Sequence, residues 1–124
     1  MWDGINRRKF PRANYKCLIT IKRRLTSKTI STQTENIGAG GICVNVKEDL
    51  GLFQGVDLEI FIETGGNHPI KCGGTVVWVV KKTTTKKGSY IYDTGIEFID
   101  MRPEDRDRLS EVVEEILQNQ RRSK

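Results

Sequence analysis

Tyr15-Lys16-Cys17-Leu18-Ile19-Thr20-Ile21-Lys22 is the stretch from which the fold is read. Tyr15, Cys17, Ile19 and Ile21 fall on one side of an extended chain, and Lys16, Thr20 and Lys22 on the other. Successive side chains of a strand point to opposite faces, so this alternation predicts a half-buried β-strand. The same period returns along the chain. Thr29 to Ile37, rich in Thr, Ser and Ile, reads as a more polar strand that the glycines of 38–41 end. Ile42, Val44 and Val46 alternate with Cys43 and Asn45, and Leu58, Ile60 and Ile62 with Glu59, Phe61 and Glu63. Thr64-Gly65-Gly66-Asn67 is a turn signal. Ile70 to Val80 is predicted as a long strand, apolar on both faces from Val76 to Val80, with Gly73-Gly74 marking a bulge or a sharp bend. Lys81 to Gly88 reads as a polar, basic hairpin loop. Ser89 to Phe98 alternates again, with Tyr90, Tyr92, Ile96 and Phe98 on one face.

The tail changes period. Leu109, Val112, Val113, Ile116 and Leu117 recur at the spacing of one helix face. Pro103 suits a first helical turn, and Glu104 and Asp105 complement the dipole there. The helix is expected over 103–118, with polar Gln118 to Lys124 fraying. Six or seven short strands and one helix point to a mainly β domain, a closed barrel or a sandwich, with the apolar helix face covering one opening. The 124 residues suit one domain, and neither a repeat nor a low-complexity segment divides them. No apolar run is long enough to cross a membrane as a helix, and no signal-peptide pattern opens the chain. The expectation is a cytoplasmic protein without membrane insertion.

Charge is concentrated at the start. Residues 1–28 hold nine Lys or Arg against one acid, Asp3, so the net charge of +5 comes from this end and the remainder is net acidic. Such a region implies an anionic partner or a solvated surface. Asn6-Arg7-Arg8-Lys9-Phe10-Pro11-Arg12 packs four cations into six residues. Arginine donates bidentately to phosphate or to the acceptor edge of guanine, and its plane stacks on bases. Downstream, Asn36-Ile37-Gly38-Ala39-Gly40-Gly41 joins a side-chain amide to a glycine-rich turn, where backbone N–H groups can approach a ligand closely. Together the two segments suggest a site for a small guanine nucleotide.

Other chemistries find little support. Cys17, Cys43 and Cys72 are widely spaced, and His68 is the only histidine, so a four-ligand zinc site is not expected. Each cysteine sits in an apolar run and reads as a small buried hydrophobe of a reducing compartment. His68 has no acid partner in its turn, the paired carboxylates of the tail sit at ordinary helix spacing, and no P-loop occurs. The chain therefore reads as a non-enzyme. Tyr90, Tyr92, Trp78 and Phe61 could stack single-stranded bases, but most share faces with core residues, so nucleic acid is not the expected partner.

These residues resemble the PilZ domain family. Arg8-Lys9-Phe10-Pro11-Arg12 is similar to its R-x-x-x-R motif, and Asn36 to Gly41 to its [D/N]-x-S-x-x-G motif. Val77-Trp78-Val79 and Gly95-Ile96-Glu97-Phe98 follow in the family's order, so the resemblance covers about residues 5–117. It implies a small six-stranded antiparallel β-barrel with a C-terminal helix, and binding of the bacterial second messenger cyclic di-GMP. By similarity, Arg8 and Arg12 grip phosphates and guanine edges, Asn36 hydrogen-bonds a guanine, and Gly41 keeps the turn open. Trp78 matches a position beside the ligand in some members, although by itself it reads as a core or barrel-rim aromatic. Arg7 is either a further ligand contact or a solvated cation. The implied organisation is a mobile basic arm over 1–13, a barrel over 14–99 and a helix over 103–118. The arm is expected to close on the ligand and signal to a partner protein. Gly38 stands where the family has serine; one hydroxyl bond is lost, worth about 0.5–1.5 kcal/mol, although the N–H of Gly38 remains. The alternative on the same fold is a protein-interaction adaptor that no longer binds the nucleotide.

Overall fold

The structure is a computed structural model that describes residues 12–62 and 68–122. Its elements are β1 (Arg12–Ala13), β2 (Leu18–Arg23), β3 (Thr29–Gly38), β4 (Gly41–Val46), β5 (Gly55–Phe61), β6 (Ile70–Thr83), β7 (Tyr90–Ile99) and α1 (Pro103–Arg122). Every strand pairing is antiparallel. The order β3-β2-β5-β6-β7-β4 closes where β4 pairs back onto β3, giving a six-stranded barrel, and β1 adds to the end of β3. Closure leaves so small a sheet without two long open edges. The alternating residues supply the core: Ile19, Ile21, Ile42, Val44, Ile60, Val76 and Ile96 are fully buried. Leu109, Val112 and Val113 of the helix join the same cluster, as their spacing predicted. The helix lies against β1 and β3.

The glycine pair of β6 makes no bulge. A Cβ on Gly74 would come within 2.6 Å of Ile96 Cγ2 and 3.0 Å of Leu58 Cδ1, and one on Gly73 within 3.0 Å of Arg24 Nη2. These glycines serve close approach of neighbouring side chains. The bulge falls instead between Val76 and Trp78. It lets Val76 stay in the core opposite Ile96 while Trp78 turns outward opposite Gly95.

Other boundaries differ from the sequence reading: β2 starts at Leu18 rather than Tyr15, and two elements run on further than expected. β6 continues to Thr83, into the expected loop, because Lys81, Lys82 and Thr83 pair with Tyr92, Ile91 and Tyr90. The lysines find partners there: Lys82 Nζ lies 3.3 Å from Asp93, and Lys81 Nζ sits 4.1 Å from the centre of the Tyr90 ring. The helix runs on through the polar residues expected to fray, to Arg122. Gln118, Asn119 and Gln120 include no breaker, and Ile116 and Leu117 still pack on the core just before them.

Candidate functional site

The site begins with one extra residue in the N-terminal strand. Ala13 pairs with Ile37, and Leu18 with Gln33. Five steps along the first strand therefore match four along β3, and the surplus is taken up between β1 and β2. Thr34, fully buried, clasps this bulge. Its hydroxyl donates to the Tyr15 carbonyl (2.6 Å) and accepts from the Cys17 N–H (3.1 Å), while the Thr34 N–H donates to the Cys17 carbonyl (3.0 Å). The clasp satisfies the backbone groups that the bulge would orphan. It also delivers Arg12 onto β3 directly opposite Gly38.

A second bulge lies in β3 itself. Thr34 pairs with Val44 and Asn36 with Cys43, so Glu35 is surplus. Strand parity inverts there. Thr34 points inward, but so does Ile37, and Asn36 is turned to the outer face. Asn36 is thus a strand residue beside a bulge, not a turn residue. Gly38 ends β3 and Gly41 opens β4, leaving only Ala39-Gly40 as the bend. The Phe98 N–H donates to the Gly40 carbonyl (2.9 Å) and pins that bend to β7.

The pairing registers then generate two rows across the outer face. One runs Asn36, Cys43, Gly95, Trp78 over β3, β4, β7 and β6. The next begins with Arg12 on β1, continues through Gly38 and Gly41 at the hairpin end, and reaches Glu97 on β7. Gly38, Gly41, Gly95 and Cys43 form a buried floor with little or no side chain, and Asn36, Trp78 and Glu97 are half-buried around it. A Cβ on Gly95 would clash with the ring carbons of the Trp78 indole, so that ring lies over Gly95. The Cys43 thiol donates to Asp93 Oδ1 (2.9 Å), whose carboxylate also meets Lys82. The face therefore offers an amide, a carboxylate, an aromatic plane and backbone within reach of a flat ligand.

Of the residues expected at a site, Asn36, Gly38, Gly41 and Trp78 come together here, and the backbone of Arg12 joins them. Arg7 and Arg8 lie outside the described residues. In the sequence Gly95 and Glu97 stand out only as part of the Gly-Ile-Glu-Phe motif; their place on this face depends on register between distant strands. Two open cavities lie elsewhere among the described residues: about 560 Å³ between Lys28–Thr32 and Asn45–Glu48, and about 520 Å³ over Thr20, Lys22 and Glu59. Neither gathers the motif residues. Among the described residues no group of three or more His, Cys, Asp or Glu could hold a metal. All three cysteines are unbridged, with Cys17 and Cys43 buried and Cys72 partly so. Burial raises the Cys17 thiol above its ordinary range. Burial, with the negative charge of Asp105, pushes Cys72 up to about 12.

Comparison with known proteins agrees with this fold. Residues 6–115 match the PilZ domain. None of the curated proteins matches in sequence. Among solved structures, the inhibitor of motility MotI/DgrA of Bacillus subtilis superposes with a TM-score of 0.73 at 22% identity, over 93% of this chain and 53% of that one. The MrkH–c-di-GMP complex of K. pneumonia gives 0.76 at 16%, over 95% and 55%. The PilZ domain of Escherichia coli YcgR with c-di-GMP gives 0.69 at 10%, over 94% and 96%. The chain thus spans about half the length of MotI/DgrA and MrkH and nearly all of the YcgR domain. At these identities the likeness is one of fold.

Proposed function

Because the chain belongs to the PilZ domain family, a family of cyclic di-GMP receptor domains rather than catalysts, we propose that it binds cyclic di-GMP on the outer face of β3, β4, β7 and β6 and signals the binding to a partner protein. The observation that carries this reading is the register of Arg12 opposite Gly38. It brings the backbone of the second arginine of the basic motif beside the glycine motif, at Gly38, two residues from Asn36. In this reading Arg12, with Arg8 and Arg7 on the chain that precedes it, takes the phosphates and guanine acceptor edges. Asn36 bonds a guanine, the glycine floor admits the bases to the backbone, and the Trp78 indole flanks them. Two structural relatives, YcgR and MrkH, have been solved with c-di-GMP, which supports the ligand class.

The mechanism is a population shift. Arginines close together repel one another; two phosphates neutralise them and favour the arm lying on the barrel. The signal is the arm's new position and the surface it creates. Gly38 weakens the site by the missing hydroxyl and leaves its floor bare.

Calorimetric titration with cyclic di-GMP, with GMP as control, tests the reading. The expected result is micromolar or tighter binding to the wild-type protein, absent for GMP. Arg12→Ala removes a charge-assisted contact and should cost more than about 2 kcal/mol, roughly thirtyfold. Unchanged affinity in that variant refutes the role given to Arg12. No heat at 100 µM, a working concentration of roughly a hundred times the expected Kd, refutes ligand binding and favours the adaptor reading.

A further inference from the structure

Past the barrel rim, β6 carries an edge that no described strand covers. β5 runs beside it only as far as Gly55 opposite Thr75. Two backbone bonds extend the contact by one residue: the Val76 N–H donates to the Gln54 carbonyl (3.0 Å) and the Phe53 N–H to the Val76 carbonyl (2.7 Å). There the chain leaves β6 through the Gly51–Gln54 turn, with Phe53 at φ 65°, a left-handed conformation rare for a bulky residue. β6 itself continues to Thr83, paired with β7 alone. The alternation of an antiparallel pair tells which backbone groups of this edge face outward. The Thr84 N–H donates to the Ser89 carbonyl (3.1 Å), so Lys82 with Ile91, and Val80 with Asp93, are the next bonded pairs. Val79, Lys81 and Thr83 between them point their N–H and C=O groups away from β7, along about 14 Å of edge.

The two ends of this edge differ. Beside its start stand Leu52 and Phe53, 50% and 71% exposed. At its far end the hairpin is basic: residues 68–92 hold five lysines and no acid. Lys82 meets Asp93, and Lys81 lies over the Tyr90 ring, which cancels no charge; Lys86 and Lys87 are exposed beyond them. An open edge invites another strand, and its lysines repel a second copy of the same edge. A nucleic-acid backbone suits the lysines, but its phosphates only accept, and they would meet the carbonyls of Val79, Lys81 and Thr83 with like partial charge. A polypeptide brings donors and acceptors in alternation. We infer that β6 from Val79 to Thr83 is the docking edge for an extended acidic segment of a partner protein, which adds to it as a strand, with an apolar end on Phe53 and carboxylates toward the lysines. The inference rests on the partner half of the reading above and not on its ligand half.

The test titrates nucleotide-free protein with three labelled probes: a peptide alternating Val and Glu, of about ten residues or roughly twice the edge, the same peptide with Lys in place of Glu, and single-stranded DNA. The Val–Glu peptide should bind with a Kd of about 100 µM or tighter, and the Val–Lys peptide about tenfold more weakly or worse. Amide exchange should slow at Val79, Lys81 and Thr83 on adding the Val–Glu peptide, and not at Val80 and Lys82, which already bond to β7. Lys86→Glu with Lys87→Glu, both exposed and remote from the core, should weaken the Val–Glu peptide about tenfold. No binding of that peptide at about 1 mM, equal affinity for the two peptides, unchanged affinity in the double variant, or protection without the alternation each overturns the inference. DNA bound more tightly than the Val–Glu peptide overturns it in favour of a nucleic-acid partner. Because no nucleotide is present, none of these results bears on the binding of cyclic di-GMP.

Discussion

Replacing Thr34 by Val tests how the arginine arm is joined to the barrel. The two side chains have nearly the same shape, but Val lacks the hydroxyl that accepts from Cys17 N–H and donates to the Tyr15 carbonyl. Cys17 is 4% exposed, so its N–H loses its partner where water does not reach, at a cost of about 1–3 kcal/mol. The Tyr15 carbonyl is only part-buried and recovers a water, which adds less. The extra buried methyl returns about 0.8 kcal/mol. The balance is a loss of about 2 kcal/mol, or a melting midpoint lower by roughly 6–12 °C in a domain of this size. Thr34→Ser keeps the hydroxyl and loses a methyl, so it should cost about 1 kcal/mol. Urea unfolding with a common slope measures both. Amide exchange at Ala13 should accelerate in Thr34→Val and not in Thr34→Ser, because loss of the clasp frees β1 to slip on β3. A slip of one residue would turn Arg12 to the opposite face. If Thr34→Val is as stable as Thr34→Ser, or Ala13 is equally protected in both, the clasp does not set the register.

Gly95→Ala should drive the Trp78 ring off β7, since the new methyl occupies the space of the indole. The expected result is a red-shifted tryptophan emission with a stability loss of about 1–3 kcal/mol; an unshifted spectrum in a folded variant would show that the ring does not rest there. Cys72 makes alkaline stability a second check. Its folded thiol titrates near 12 against an ordinary value of 9.0, chiefly because it is buried and secondarily because of Asp105. Below pH 9 both states hold the proton; between 9 and 12 only the folded state does, so the unfolded state gains and stability falls as pH rises. Urea midpoints of wild type should therefore drop more steeply above pH 9 than those of Cys72→Ala, and parallel curves would contradict the buried thiol.

The strands were legible because their faces differ: Ile19, Ile21, Leu58, Ile60, Ile96 and Phe98 alternate with polar residues, and each of them is buried. The helix was legible for the same reason at a different period. Alternation failed at the bulges. Nothing in Thr34-Glu35-Asn36 or Val76-Val77-Trp78 marks the residue that will be surplus, because a bulge is settled by the partner strand's register rather than by the bulged residues. The glycines of β6 look in the sequence like bulge residues and are instead spaces for Ile96 and Leu58, from two other strands, and Arg24, from the turn after β2.

The sequence by itself determined a mainly β domain with a terminal helix, a basic arm and a glycine motif, and through them the family. These are properties of local periodicity and of residue type in order. Only the tertiary structure decided that Arg12 stands opposite Gly38, that Trp78 lies over Gly95, and that Glu97 pairs with Gly41. Those neighbours are brought together by strand pairing between segments up to 85 positions apart, such as Arg12 and Glu97. Pairing is fixed by closing the barrel around a shared core, a constraint on all six strands at once that no single segment carries.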